Sequence, residues 1–282
     1  MGLWHIRPNA AKPKLSLVTR AESELVNIAA RVAREGGALA AKRRAEGVSV
    51  AASKSSEEDI VTLADREVET HIRTLLAELR PNDGFFGEEG ARGSSESGLT
   101  WVVDPIDGTV NYLYGIAFYG VSVAVVEGDP DPLTWTTVAG AVMNPILDEL
   151  FTATNGGGAW LGNERLQVNM DVPTHLALVG TGFAYSSDVR GVQADVLTRL
   201  LPQVRDIRRV GSCSVDLCSV AAGRMDAFFE RELSPWDHAA GSLIVRESGG
   251  HVGGFDGKPA SSEMLIAANP ELFVALHNIL RA

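Results

Sequence analysis

From Trp101 to Ala153 the chain is a succession of short β-prone apolar runs, Trp101–Val103, Gly120–Val126, Val138–Met143 and Leu150–Ala153, divided by turns of Gly, Pro and Asp. Runs so close in sequence pair with their neighbours, so the spacing predicts a meander. Gly156-Gly157-Gly158 follows it and reads as turn chemistry, because no helix opens after it to hold a phosphate. Upstream the period is helical. Leu25, Ile28, Ala29, Val32, Ala33 and Leu39 predict a helix over 21–47, weakened in its middle by Gly36 and Gly37. Val68, Ile72, Leu75, Leu76 and Leu79 predict a second helix, stopped by Pro81-Asn82-Asp83-Gly84. Beyond Leu176 strand and helix alternate: strands at 176–180, 207–210, 227–230 and 264–267, helices near 189–204, from Ser212, over 236–248 and from Pro270. The fold class is therefore α/β, of the layered α+β kind.

With 282 residues, 45% of them apolar, the chain is long enough for a large core and too apolar to be disordered. Residues 1–20 have no acid, two prolines and no periodicity, and are expected to be a mobile tail before a single domain over 21–282. A net charge of −11 repels phosphodiester backbones, which argues against nucleic acid as a partner. No stretch approaches the roughly 18 apolar residues of a membrane span, and the N-terminus lacks a signal-peptide core. Cys213 and Cys218 fall on one expected helix, too ill-placed for a disulfide, so a reduced, cytoplasmic setting is expected.

The chemistry concentrates in Trp101-Val102-Val103-Asp104-Pro105-Ile106-Asp107-Gly108-Thr109, an apolar strand ending in two carboxylates around a proline. Strand ends are where α/β folds place ligands, and oxygen donors suit hard divalent cations. Asp104 and Asp107 alone read as turn and N-cap residues of a helix opening at Thr109. Two further acidic sites at element ends, Glu88-Glu89 and Asp237, favour a shared centre. His238 adjoins Asp237 but points about 100° away on a helix, so a structural or rim position is expected for it. The histidines are scattered, Gly-x-Ser-x-Gly is absent and Gly257-Lys258 lacks a P-loop frame, which excludes a zinc site, a serine hydrolase elbow and a P-loop.

Gly87-Glu88-Glu89, Asp104-Pro105-Ile106-Asp107-Gly108-Thr109 and Trp236-Asp237 followed by Ala239-Ala240-Gly241 resemble the motifs of the inositol monophosphatase family, in its bacterial inositol-1-monophosphatase form. The resemblance implies an αβαβα sandwich, with halves over about 21–175 and 176–282. It also implies a lithium-sensitive phosphatase using two or three Mg²⁺ ions. Glu88, Asp104, the Ile106 carbonyl, Asp107 and Asp237 would be the ligands, with Asp104 shared. Lys54-Ser55-Ser56 and Asp59 through Asp65 resemble the segment whose last acid pairs with the motif threonine, so Glu88, Thr109 and Asp65 would activate the attacking water. Substrate would lie on Ile106, Asp107, Gly108, Thr109, Gly211, Ser212, Cys213, Glu230 and Asp237. The implied reaction is hydrolysis of inositol 1-phosphate by a homodimer. Fructose 1,6-bisphosphate, histidinol phosphate and 3'-phosphoadenosine 5'-phosphate are rival substrates, and an interaction module for the transcription machinery is a rival role.

Overall fold

A strand that is apolar at every position needs cover on both faces. The computed structural model describes residues 20–48, 50–53 and 60–281. In chain order the elements are α1 (Arg20–Glu46), β1 (Val50–Ser53), β2 (Ile60–Thr62), α2 (Leu63–Leu79), β3 (Gly84–Gly87), β4 (Leu99–Asp107), α3 (Thr109–Tyr114), β5 (Gly120–Glu127), β6 (Thr136–Asn144), β7 (Glu149–Thr154), β8 (Gly158–Leu161) and β9 (Glu164–Arg165). There follow β10 (Leu178–Thr181), α4 (Ser187–Leu200), β11 (Asp206–Arg208), α5 (Cys213–Ala221), β12 (Ala227–Glu230), α6 (Pro235–Glu247), β13 (His251–Gly253), β14 (Leu265–Ala268) and α7 (Pro270–Arg281).

The larger sheet runs β3-β4-β5-β6-β7-β8-β9, antiparallel except for the parallel β3–β4 pair. The smaller runs β11-β10-β12-β14-β13, with β10 parallel to both of its neighbours. Alternation along the strands sorts side chains into three cores. Trp101, Val103, Val121, Val123 and Val125 pack with α1 and α2, while Val102, Ala124 and Val126 face α5 and α6. Phe228, Leu265 and Ala267 of the smaller sheet meet the same α5–α6 layer, and Ala227, Phe229, Ile266 and Ala268 turn towards α4 and α7. The result is five layers, αβαβα, with the two sheets sharing α5 and α6 as filling.

The expected meander is β4 to β7, lengthened by β8 and β9 after the glycine turn and preceded by β3. The expected strand at 176–180 starts later, because a 3₁₀ turn occupies Thr174–Leu176, and the one at 207–210 is only Asp206–Arg208. β13 was not anticipated: its three residues carry too little pattern. Gly36 and Gly37 do not weaken α1 to any effect. A Cβ there would stand 2.9 Å from Ile72 Cδ1 and 2.9 Å from Met143 Cγ, so their bareness lets α1 close onto α2 and β6. A helical glycine costs about 1 kcal/mol, less than the roughly 1.5–3 kcal/mol from burying one Ile or Met side chain. The tail expected over 1–20 lies outside the described residues except for Arg20, which already belongs to α1. Lys54, Ser55, Ser56 and Asp59 also lie outside them. Among the described residues no helix is long and apolar enough to cross a membrane, and both cysteines are buried thiols.

Candidate active site

Residues three apart on a strand point to opposite faces, so Asp104 and Asp107 could not share a site on a regular β4. Pro105 has no N–H for the ladder, and the register with β5 slips between Asp104 and Asp107. The slip re-aims both carboxylates into one cleft of about 420 Å³. Both are buried, at 2% and 8% exposure. Asp104 Oδ1 accepts the Ile106 N–H at 3.1 Å. Asp107 Oδ2 accepts from Ser212 Oγ at 2.7 Å, Ser214 N at 2.6 Å and Ser214 Oγ, which ties β4 to the start of α5. Asp107 is not the N-cap of the next helix. That position is Gly108, left-handed at φ 93°, and a Cβ on it would meet the Gly211 carbonyl at 3.0 Å.

Thr109 opens α3, a helix of six residues. Its Oγ1 lies 3.3 Å from Asp65 Oδ1 and 3.2 Å from the Ile106 carbonyl. Asp65 was readable from sequence either as a helix-start acid or as the partner of Thr109. It is both, through different oxygens. Oδ2 accepts the Thr62 N–H at 2.8 Å and the Thr62 hydroxyl, capping α2, while Oδ1 faces Thr109. Asp65 does not line the cleft but sits behind Thr109.

Glu88, in the loop after β3, and Asp237, in the first turn of α6, line the same cleft. The two glutamates of the Gly-Glu-Glu motif diverge: Glu89 turns back to α2, with Arg66 Nε 3.8 Å from its carboxylate. Asp237 Oδ2 accepts the Ser234 N–H at 2.7 Å. Each of the three aspartates thus spends one oxygen on the protein backbone, which fixes the carboxylate plane. Burial raises Asp104 well above the carboxylate range, with repulsion from Glu88, Asp107 and Asp237 and a hydrogen bond to Glu88 favouring its protonated form. Asp237 is raised by burial, then by Asp107 and Glu88; burial also raises Asp107, against its serine donors.

Whether this set suits Mg²⁺ is decided by that electrostatics. Among the described residues no three acidic, histidine or cysteine side chains close around one point as a finished cage. The four carboxylates line one cleft and are near enough to raise one another. All-oxygen donors, mutually repelling and short of positive charge, are what a hard divalent ion relieves. Glu88, Asp104, Asp107, Asp237 and the Ile106 carbonyl are the oxygen donors on this cleft that could hold such an ion.

Of the expected substrate contacts, Ile106, Asp107, Gly108, Thr109, Gly211, Cys213, Glu230 and Asp237 line the cleft. Ser212 is not among the lining residues, because its hydroxyl is turned to Asp107. Burial pushes Glu230 up to about 8, Asp216 and Asp107 raising it further and Arg209 opposing, so at neutral pH it can donate as well as accept. Sequence reasoning missed Gly182–Ser186, Arg209 and Arg231 on the cleft wall. The loop after β10 was findable by the rule that ligands lie beyond strand ends; the two arginines carried no signal. His238 lies apart from the cleft, buried against Trp135 in a separate cavity and pushed down to about 4 by burial.

The sequence model of the inositol monophosphatase family matches residues 21–281. The chain belongs to that family. The inositol-1-monophosphatase of Mycobacterium bovis is 42% identical over 256 residues, 83% of this chain and 86% of the relative. The Nus factor SuhB of Escherichia coli is 35% identical over 257 residues, covering 89% and 94%. Among solved structures, the extragenic suppressor protein SuhB of Bartonella henselae superposes with a TM-score of 0.83 at 34% identity over 92% of this chain and 98% of that one. SuhB of Mycobacterium tuberculosis gives 0.77 at 39% identity over 92% and 96%. The fold of this inositol monophosphatase family member is that of these neighbours, and its relatives support a phosphatase.

Proposed function

We propose that the protein is a cytoplasmic, lithium-sensitive phosphomonoesterase that hydrolyses inositol 1-phosphate to inositol and phosphate and works as a homodimer. The observation that carries the reading is the meeting of four carboxylates with the Thr109–Asp65 hydrogen bond at one end of a cleft. Two or three Mg²⁺ ions, when bound, would supply Lewis-acid charge for the phosphate and acidify the attacking water. Glu88, Asp104, Asp107 and Asp237 would hold that charge. Thr109 Oγ1 donates to Asp65 Oδ1 and takes the proton of a water beside the phosphate as its own moves to Asp65, the water oxygen bonding to phosphorus while the departing alkoxide is protonated by solvent. The Gly108–Thr109 and Gly211 backbone runs against the phosphate position, and Glu230 takes the hydroxyls of the sugar alcohol.

Phosphate release is to be measured on inositol 1-phosphate, fructose 1,6-bisphosphate, histidinol phosphate and 3'-phosphoadenosine 5'-phosphate, with Mg²⁺ and then with chelator. Inositol 1-phosphate should dominate and chelation should stop it; activity that survives chelation refutes the reading. In the same panel Glu230→Gln should alter the ranking of substrates, and an unchanged ranking would move the hydroxyl site elsewhere. A second reading, interaction with the transcription machinery, is favoured by relatives named Nus factor SuhB. It takes precedence if Mg²⁺ binds and nothing is hydrolysed.

A thermal test follows from the raised carboxyls. Their native pKa values exceed the unfolded ones, so between about pH 4 and those raised values the native state binds more protons and its stability falls as pH rises. Bound Mg²⁺ cancels the repulsion. The gap between Tm in Mg²⁺ and Tm in chelator should therefore widen from pH 5 to pH 8. A gap independent of pH would place Mg²⁺ away from these groups.

A further inference from the structure

One turn beyond Asp65, α2 carries a buried glutamate that the activity proposed above does not use. Glu69 is 4% exposed. Its Oε2 accepts the backbone N–H of Glu89 at 2.7 Å, the residue after Glu88. Its Oε1 is 3.1 Å from Arg73 Nη2, one turn further along the helix. Arg73 in turn donates to the Ala91 carbonyl at 3.2 Å and lies over the Phe85 ring, 4.0 Å from its centroid. The pair thus grips the 85–91 segment at both ends, from β3 to the far side of the Glu88–Glu89 loop.

The glycines flanking those glutamates confirm how closely the loop is held. A Cβ on Gly87 would stand 2.7 Å from the Glu69 carboxyl carbon, and one on Gly90 would stand 2.6 Å from Glu69 Oε1 and run into the Arg73 guanidinium. A side chain at either position would have to displace the Glu69 carboxylate or the Arg73 guanidinium. A buried, ion-paired carboxylate with one oxygen reserved for a loop amide is a costly arrangement that fixes geometry more than it adds stability. The same helix holds Asp65, so α2 sets both the threonine partner and the glutamate on one rigid element.

We propose that Glu69, locked by Arg73, is a positioning residue that holds Glu88 at the angle needed to take a divalent cation. The inference rests on the phosphatase reading only for the identity of the ion. Partners behind metal ligands typically matter by about 10–100-fold in affinity, so Glu69→Ala should weaken Mg²⁺ binding by that factor in a calorimetric titration with Mg²⁺ alone. In the metal-free protein the Glu89 amide should exchange hydrogen faster in Glu69→Ala than in the parent. Saturating Mg²⁺ should recover most of kcat, since the chemical groups are intact.

Glu69→Gln keeps an acceptor for the Glu89 amide and loses the ion pair, so its Mg²⁺ affinity should fall between the parent and Glu69→Ala. If Glu69→Ala does not fold, Glu69→Gln decides alone, and unchanged affinity overturns the proposal. A parent that binds Mg²⁺ together with a Glu69→Ala that binds it equally tightly overturns the positioning role and leaves the phosphatase reading standing. A parent that binds no Mg²⁺ overturns both.

Discussion

Asp104→Asn is expected to abolish Mg²⁺-dependent phosphate release while the protein stays folded. Asn keeps the shape of the side chain and can still accept the Ile106 N–H through its amide oxygen, so the turn at Pro105 survives. What disappears is a full negative charge at the position between Glu88, Asp107 and Asp237. Charge stabilisation by a bound metal is worth several kcal/mol in such sites, and each 1.36 kcal/mol is tenfold in rate. Turnover should therefore fall by roughly 10³-fold or more. The metal-free variant should melt no lower than the parent, because burial and three acidic neighbours already penalise the charge that Asn removes. Adding Mg²⁺ should then raise the Tm of the parent and leave that of the variant nearly unmoved. Near-parental turnover would refute the shared role of Asp104. A large drop in Tm without metal would mean that Asp104 braces the fold and the lost activity says little about the ion.

Much of this architecture was legible because both sheets are covered on both faces. Burial on two sides turns β4, β5 and β6 into unbroken apolar runs, and such runs stand out in a sequence; a three-residue edge strand such as β13 does not. The ends of strands and helices were legible for a similar reason, since Pro105, Gly108 and Pro235 mark positions where only a few residue types fit. What escaped was everything settled by distant chain. Gly36 and Gly37 looked like defects until Ile72 and Met143 were seen against them. The hydrogen bond of Ser212 to Asp107, 105 positions away, carried no local signal. Asp65 shows the limit most sharply: the capping residue and the partner of Thr109 are one carboxylate, and local sequence displays only the oxygen that caps.

Thr109→Ala is expected to lower kcat about 10²-fold or more, the usual scale for a group that positions or moves a proton. Thr109 Oγ1 has Asp65 Oδ1 on one side and the Ile106 carbonyl on the other, so it links the buried Asp65 to the cleft. Removing it strands Asp65 behind a methyl group without touching the capping oxygen, which is why Thr109 tests the relay more cleanly than any change at Asp65, where the start of α2 would also suffer. On the proposed reading substrate is gripped by Glu230 and by backbone, not by the Thr109 hydroxyl, so KM should move little. Thr109→Ser returns the hydroxyl and should recover most of the lost rate. If Thr109→Ala raises KM and spares kcat, the hydroxyl holds phosphate and does not relay a proton. If Thr109→Ser is as slow as Thr109→Ala although its hydroxyl reaches Asp65, the rate depends on packing of the threonine methyl, and the relay through Asp65 is wrong.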